Sequence, residues 1–184
     1  MAAAERDGVR TRARILALAQ QLFAAHGFAG TSIADIARVL GTSKAALYYH
    51  FKSKDEILEA LVTEPVSAYA ALAERCETER VSAKELVGAL IDLTVETHTV
   101  NALLINDPSI NAVLRRLYDV EGHVQTFVRS LADGDTTEAG RARAWAAFAV
   151  AKQGTFWAVQ AGDGTLSPTA REEFLTAALR CLEP

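Results

Sequence analysis

An all-α fold is the class this sequence predicts, on three observations. Proline is scarce, with four residues in 184, while alanine is abundant. Apolar residues recur at helical spacing in nearly every long segment. No run of alternating β-branched residues marks a strand. Start and stop signals cut the chain into about nine helices, with a three-helix head, a long joining helix and a helical body.

The first helix is expected over about 9–26, with Ile15, Ala19, Leu22 and Phe23 on one stripe and Gly27 as its stop. Ser32 followed three residues later by Asp35 reads as an N-cap with an acid, opening a short helix through Ile36, Ala37 and Leu40 that stops at Gly41. A third short helix runs from about Ser43 to His50, with Leu47 and Phe51 facing inward. Ser53-Lys54-Asp55-Glu56 is a capping box that starts a long fourth helix toward the seventies. Ser82 and Glu85 form another, opening a helix through Leu86, Leu90, Thr94 and His98. Asp107-Pro108 caps a helix through Leu114, Leu117, Val124 and Leu131. A helix of about 137–161 follows, stopped near Gly162-Asp163-Gly164, and Ser167-Pro168 opens the last, which carries Phe174, Leu175, Ala178 and Leu182. The organisation read from this pattern is a head over 1–54 and a body over 55–184.

Composition excludes several classes. A chain that is 50% hydrophobic and 23% charged buries enough surface to fold. Charged residues interrupt each apolar stretch before the roughly 20 residues a bilayer requires, so no membrane partner is expected. The arginine-bearing N-terminus has no apolar signal core, and a cytoplasmic location is expected. Cys76 and Cys181 make no disulfide framework, and no metal or other cofactor is called for. HExxH, a nucleophile elbow, a phosphate loop and a dinucleotide fingerprint are all missing, which leaves a helical enzyme as a remote alternative.

Charge is divided unevenly. The net charge is -4, yet residues 1–54 hold eight Lys/Arg against three acids, or +5, and the remainder carries -9. A basic head on an acidic body suits one region that meets polyanions and another with a different task. Residues 32–51 form a short helix, a glycine-containing turn and a second short helix, which is helix-turn-helix architecture. The second helix leaves Ser43, Lys44, Ala45, Tyr48 and Tyr49 outward. Lys44 suits guanine O6 or N7, Ala45 and Ala46 suit thymine methyls, and the Tyr48 hydroxyl suits a phosphate or a base. Arg6, Arg10, Arg12 and Arg14 read equally as an arm toward DNA or as a solvated helix start.

Two segments carry a resemblance. Gly30-Thr31-Ser32-Ile33-Ala34-Asp35-Ile36-Ala37 and Gly41-Thr42-Ser43-Lys44-Ala45-Ala46-Leu47-Tyr48-Tyr49-His50-Phe51-Lys52-Ser53-Lys54 closely resemble the DNA-binding domain of TetR-family transcriptional regulators, over about residues 9–60. The resemblance implies phosphate contacts from Thr31, Ser32, Tyr48, Tyr49, His50 and Lys54. It implies base contacts mainly from Lys44, Ala45 and Ala46, plus the exposed face of Tyr49, with Thr42 and Ser43 at the leading end of the reading helix. Thr42 stands where members often carry valine, and Ala45 where they carry glycine or proline, so the operator sequence does not follow from the family.

The resemblance implies an all-helical effector-binding and dimerisation body. The expected partners are a double-stranded DNA operator, a second copy of the chain and a small, largely apolar effector. Dimer candidates on the last two helices are Trp145, Phe148, Ala151, Phe156, Phe174 and Ala178, with a small-residue face of Ala144, Ala147, Ala151, Gly154 and Ala158. Effector candidates are Thr94, His98, Asn101, Tyr118, Gln153 and Trp157, with Asn106 and Asn111 as further polar groups. Neither His98 nor His123 lies in a ligand-spaced cluster. The expected function is that of a dimeric repressor released from a palindromic operator by its effector. An effector-independent regulator or architectural DNA-binding protein is the alternative.

Overall fold

The computed structural model describes residues 2–107, 109, 110, 113, 114 and 118–184, and every regular element among them is helical. Pro108, Asn111 and Leu117 lie outside the described residues. In chain order the helices are α1 (Ala2–His26), α2 (Ile33–Leu40), α3 (Lys44–His50), α4 (Lys54–Thr78), α5 (Ala83–Glu96) and α6 (His98–Asn106). Then come α7 (Val120–Leu131), α8 (Glu138–Ala149), a π turn (Val150–Gly154), α9 (Thr155–Ala161) and α10 (Pro168–Cys181). No helix among the described residues is long and apolar enough to cross a membrane.

Two compact units result, Met1–Glu64 with Ala102–Leu117, and Pro65–Asn101 with Tyr118–Pro184. This division differs from a head ending at residue 54. The first turns of α4 and the end of α6 belong with the head, so α4 and α6 each contribute to both units. Pro65 stands inside α4 at the boundary, where it has no N–H to donate to the preceding turn.

In the first unit Ile15, Ala19 and Phe23 of α1, Ile36 and Ala37 of α2, Leu47 of α3, and Phe51, Ile57 and Leu58 are buried. The rings of Phe23 and Phe28 meet edge to face at 5.1 Å. Burial of this apolar stripe supplies the stability that short helices lack in isolation. In the second unit α5, α7, α8 and α10 enclose Leu86, Leu90, Phe127, Leu131, Ala144, Phe148, Leu175 and Ala178.

Three breaks depart from the sequence pattern. The helix expected to carry both Thr94 and His98 ends at Glu96, with Thr97 as C-cap, and His98 begins α6 instead. The single helix expected from Asp107 to Leu131 is interrupted: Tyr118 and Asp119 are not helical, and the Asp119 carboxylate accepts the Gly122 N–H to cap α7. The helix expected over 137–161 contains the π turn. The extra residue moves the inward phase by one, so Ala144, Ala147 and Ala151 are followed by Thr155 and Val159 in the core, while Gly154 and Ala158 are only half-buried.

Candidate functional site

The geometry of the head starts with its caps. The Ser32 hydroxyl accepts the Asp35 N–H at 3.2 Å and the Asp35 carboxylate accepts the Ser32 N–H at 3.1 Å, a complete capping box. The Ser32 hydroxyl, the Arg38 guanidinium and the Ser32 amide together lower the Asp35 carboxyl from 3.8 to about 2. Gly41 ends α2 at φ 71°, ψ 33°, a left-handed conformation that glycine adopts at least cost. The Gly41 N–H donates to the Arg38 carbonyl and the Thr42 N–H to the Ala37 carbonyl, closing the turn. At Gly30 the reason is space, since a Cβ there would lie 2.3 Å from the His26 carbonyl oxygen.

The second helix of the motif, α3, is fixed at both ends. Ser43 accepts the Ala46 N–H at 3.1 Å. At the other end the Arg12 guanidinium donates to the His50 carbonyl at 3.1 Å and lies 4.1 Å from the centre of the Phe51 ring. A cation on the last carbonyls complements the helix dipole. Leu47 and Phe51 are fully buried, as the pattern predicted. What α3 leaves outward is Lys44, Ala45, Ala46, Tyr48 and Tyr49, with Thr42 and Ser43 exposed ahead of it and His50 half-buried. Tyr49 is 87% exposed and its ring meets His50 edge to face at 5.3 Å, so neither is part of a core cluster. The face offers one ammonium, two methyls and two phenols, on a helix narrow enough for a major groove.

Three residues of the head are placed differently from expectation. Thr31 is only 3% exposed, and its hydroxyl faces the Gly27 carbonyl at 2.8 Å and the Leu22 carbonyl at 3.2 Å, so it is a packing residue rather than a surface donor. The Lys54 ammonium, expected on a phosphate, donates to the carbonyls of Phe28 and Thr31 and sits 4.3 Å from the centre of the Phe28 ring. It therefore holds the turn that enters α2. Arg12 belongs to the α3 cap and not to a free arm, whereas Arg10 and Arg14 are exposed. Sequence reasoning missed Asp107, whose carboxylate accepts the Phe28 N–H from the same turn and the Ser109 N–H. The Ser109 hydroxyl, with the Phe28 and Ser109 amides, outweighs partial burial and lowers its carboxyl below the ordinary value.

The body candidates divide by burial. Thr94 is fully buried and its hydroxyl donates to the Leu90 carbonyl at 2.7 Å. Asn101 donates to the Thr97 hydroxyl at 2.9 Å. His98 Nδ1 lies 2.8 Å from the Val95 carbonyl, an atom that can only accept, so Nδ1 carries the proton. Its Nε2 faces the Gly164 turn. Tyr118 is half-buried. Gln153 is exposed and Trp157 is 58% exposed, so these two lie on the outside rather than around an internal ligand. Of the dimer candidates, Phe148, Ala151, Phe156 and Ala178 are at most 4% exposed and pack the unit's own core, leaving no surface for a partner. Phe174 is half-buried, close enough to Gly154 that a Cβ there would lie 3.0 Å from its ring. Trp145 remains outward at 42%.

Missed altogether were Tyr69 and Lys152. The Lys152 ammonium donates to the Tyr69 hydroxyl at 3.0 Å, and that hydroxyl is 3.2 Å from Thr94 Oγ1. Burial alone would raise the Tyr69 phenol, but the Lys152 charge and hydrogen bonding with Lys152, Thr94 and Thr97 outweigh it and leave it below 10.0. The partners come from α4, α5 and the π turn, distant in sequence, so no local pattern signals them.

Comparison with known proteins agrees with this architecture. Residues 15–61 match the family described as "Bacterial regulatory proteins, tetR family". The chain is 27% identical over 127 residues to the HTH-type transcriptional regulator TtgR of Pseudomonas putida, a match that takes in 69% of this chain and 56% of that protein. The fold is similar to that of Mycobacterium smegmatis AmtR, with a TM-score of 0.69 and 25% identity over 93% of this chain and 85% of the other. It is also similar to NalD, the secondary repressor of the MexAB-OprM multidrug efflux pump in Pseudomonas aeruginosa, with a TM-score of 0.64 and 20% identity over 96% and 97% of the two chains. The capped helix-turn-helix and its outward face thus lie within the segment that matches the tetR-family model, and the all-helical fold of the described residues is similar to that of the regulators named above.

Proposed function

We propose that this protein is a DNA-binding transcriptional repressor that works as a homodimer and leaves a palindromic operator when a small effector binds its body. The observation that carries the reading is the outward face of α3: Lys44, Ala45, Ala46, Tyr48 and Tyr49 are all exposed on a helix held rigidly from behind. Rigid support of a reading face is what sequence recognition requires. Regulators alone among the relatives named above favour this over a helical enzyme. NalD's description as a repressor supports the sign.

One module on one half-site binds weakly, so two copies related by a two-fold axis are the expected design. Trp145 and Trp157 are the surface that suits the contact. Twelve residues apart, they would sit about 120° apart on a plain α-helix. The extra residue of the π turn removes about 100° of that, which explains why both are outward, with Ala146, Ala149 and Gln153 between them. Release requires an effector that binds the two states of the protein with different affinity. Asp107, just after α6, holds the Phe28 N–H, so displacement of α6 is felt at the turn that enters α2.

The test is anisotropy titration on duplex DNA with Lys44→Ala and Tyr49→Ala. Loss of a good base contact costs about 1–3 kcal/mol, roughly 5- to 150-fold in affinity. Undiminished binding by both variants overturns the assignment of α3.

A further inference from the structure

The polar cluster inside the second unit has a direction. Thr94 gives its hydroxyl hydrogen to the Leu90 carbonyl, so toward Tyr69 it accepts, and Tyr69 donates to it. Tyr69 in turn accepts from the Lys152 ammonium, which lies 4.2 Å from the centre of the Tyr69 ring. Next along the same turns, Thr97 donates to the Leu93 carbonyl and accepts from Asn101.

Every hydroxyl hydrogen in this chain is used, but the charge of Lys152 is not answered. Its hydrogen-bond partner is a neutral phenol, and it takes part in none of the ion pairs among the described residues. A half-buried cation without a counter-ion is unusual in a body that carries -9 beyond residue 54. Three residues on, the Thr155 hydroxyl is fully buried and has no hydrogen-bond partner among the described residues. Both groups stand at the π turn, a type of helix irregularity that concentrates at functional sites. Behind Tyr69 the rings of Phe127 and Phe148, with ring centres 6.5 and 6.3 Å apart along the series, are buried in the unit's core and brace the phenol.

We propose that Lys152 anchors the anionic head of an otherwise apolar organic effector, with Tyr69 fixing the ammonium. This rests on the reading that the body binds an effector, and it specifies the chemical class: an amphiphilic carboxylate, sulfate or sulfonate rather than a neutral or cationic molecule. A hydrogen bond to a charged group gives such a ligand roughly a ten- to hundredfold advantage over its neutral counterpart.

The experiment compares two dyes with one aromatic skeleton, anilinonaphthalene sulfonate and the uncharged N-phenylnaphthylamine, by fluorescence titration of the full chain. The expected result is tighter binding of the sulfonate, a preference lost in Lys152→Met, kept largely in Lys152→Arg, and unchanged in Lys84→Met, which removes an exposed lysine of the same unit. Binding of the neutral dye to Lys152→Met shows that the variant is folded, and Lys152→Gln replaces it if it is not. No preference for the sulfonate by the wild type, or an unchanged preference in the folded Lys152 variants, overturns the proposal. Release of duplex DNA by each dye is read separately. A preference that depends on Lys152 without any release of DNA upholds the anion site and refutes effector release. Equal binding and equal release by both dyes does the reverse.

Discussion

Replacing Lys54 with methionine separates two roles that one residue type can play in a DNA-binding head. The variant keeps the unbranched stem and removes the ammonium that donates to the Phe28 and Thr31 carbonyls, the latter at 2.8 Å. Hydrogen bonds to charged groups are worth about 1.5–3 kcal/mol each, and a cation over an exposed ring about 0.5–1. Lys54 is only half-buried, so water replaces part of the loss. The loss therefore falls below the low-end sum of about 3.5 kcal/mol, to about 2–3 kcal/mol for the head. That corresponds to roughly 30- to 150-fold faster hydrogen exchange across the α1–α2 turn and α2 if these amides open with the head. Trp145 and Trp157 both lie in the body, so tryptophan fluorescence during urea unfolding is an internal control that stays near wild type. The second assay is the salt dependence of binding to a mixed-sequence duplex. A phosphate contact contributes about 0.9 to the slope of log affinity against log salt. A positioning Lys54 leaves the slope of the folded head unchanged, whereas loss of a phosphate contact lowers it by about that amount. Unchanged exchange in the head together with a slope reduced by about 0.9 refutes the reasoning.

Three further outcomes follow from particular contacts. The Asp35 carboxyl is lowered to about 2 by its capping box, so its stabilisation of α2 is complete above the ordinary value near 3.8 and fades as pH falls toward 2. Acid titration followed by amide exchange should show α2 loosening across that interval, and Asp35→Ala should already be loosened at neutral pH with less change on acidification. Of the four tyrosines, Tyr69 should ionise below the ordinary phenol range in an ultraviolet titration, and Lys152→Met should move that step upward; an identical curve for the variant contradicts the contact. Trp145→Glu with Trp157→Glu should give a monomer by light scattering with helicity retained, because both side chains are outward; a persistent dimer places the seam elsewhere.

The elements that sequence reading recovered are those whose ends are written locally. Ser32 with Asp35, Ser82 with Glu85, Ser43, and Ser167 before Pro168 all cap the helices they announce. Gly41 ends α2 in the conformation expected of it. The Ser53 box formed by half: Ser53 accepts the Glu56 N–H, but Glu56 reaches the Lys52 N–H instead of returning to Ser53.

The misread breaks have weaker local signals. At Thr97 neither glycine nor proline marks the stop, and the Asp119 cap lies within a stripe from Leu114 to Leu131 that continues the helical period on both sides. The π turn has no composition of its own, and because it shifts the phase it also misassigned the faces of Gln153, Trp157 and Phe156. For the candidate site, the outward face of α3 was legible because the buried positions Leu47 and Phe51 fix the helix phase. The tasks of Arg12 and Lys54 were not, since their partners lie 38, 26 and 23 residues away. Side chains of one charge look alike in sequence, whether they meet a backbone carbonyl or a phosphate.

The central claim is that two copies of the capped α3 read DNA together. Selection of the 184-residue chain on random duplex DNA at moderate salt, followed by sequencing of what is retained, tests it most directly. The account predicts a palindrome whose half-sites are about one helical turn apart or somewhat more, with sharpness at the centre of each half-site reduced in Lys44→Ala. Retention of unrelated sequences by a folded dimer, with no motif enriched, would contradict it.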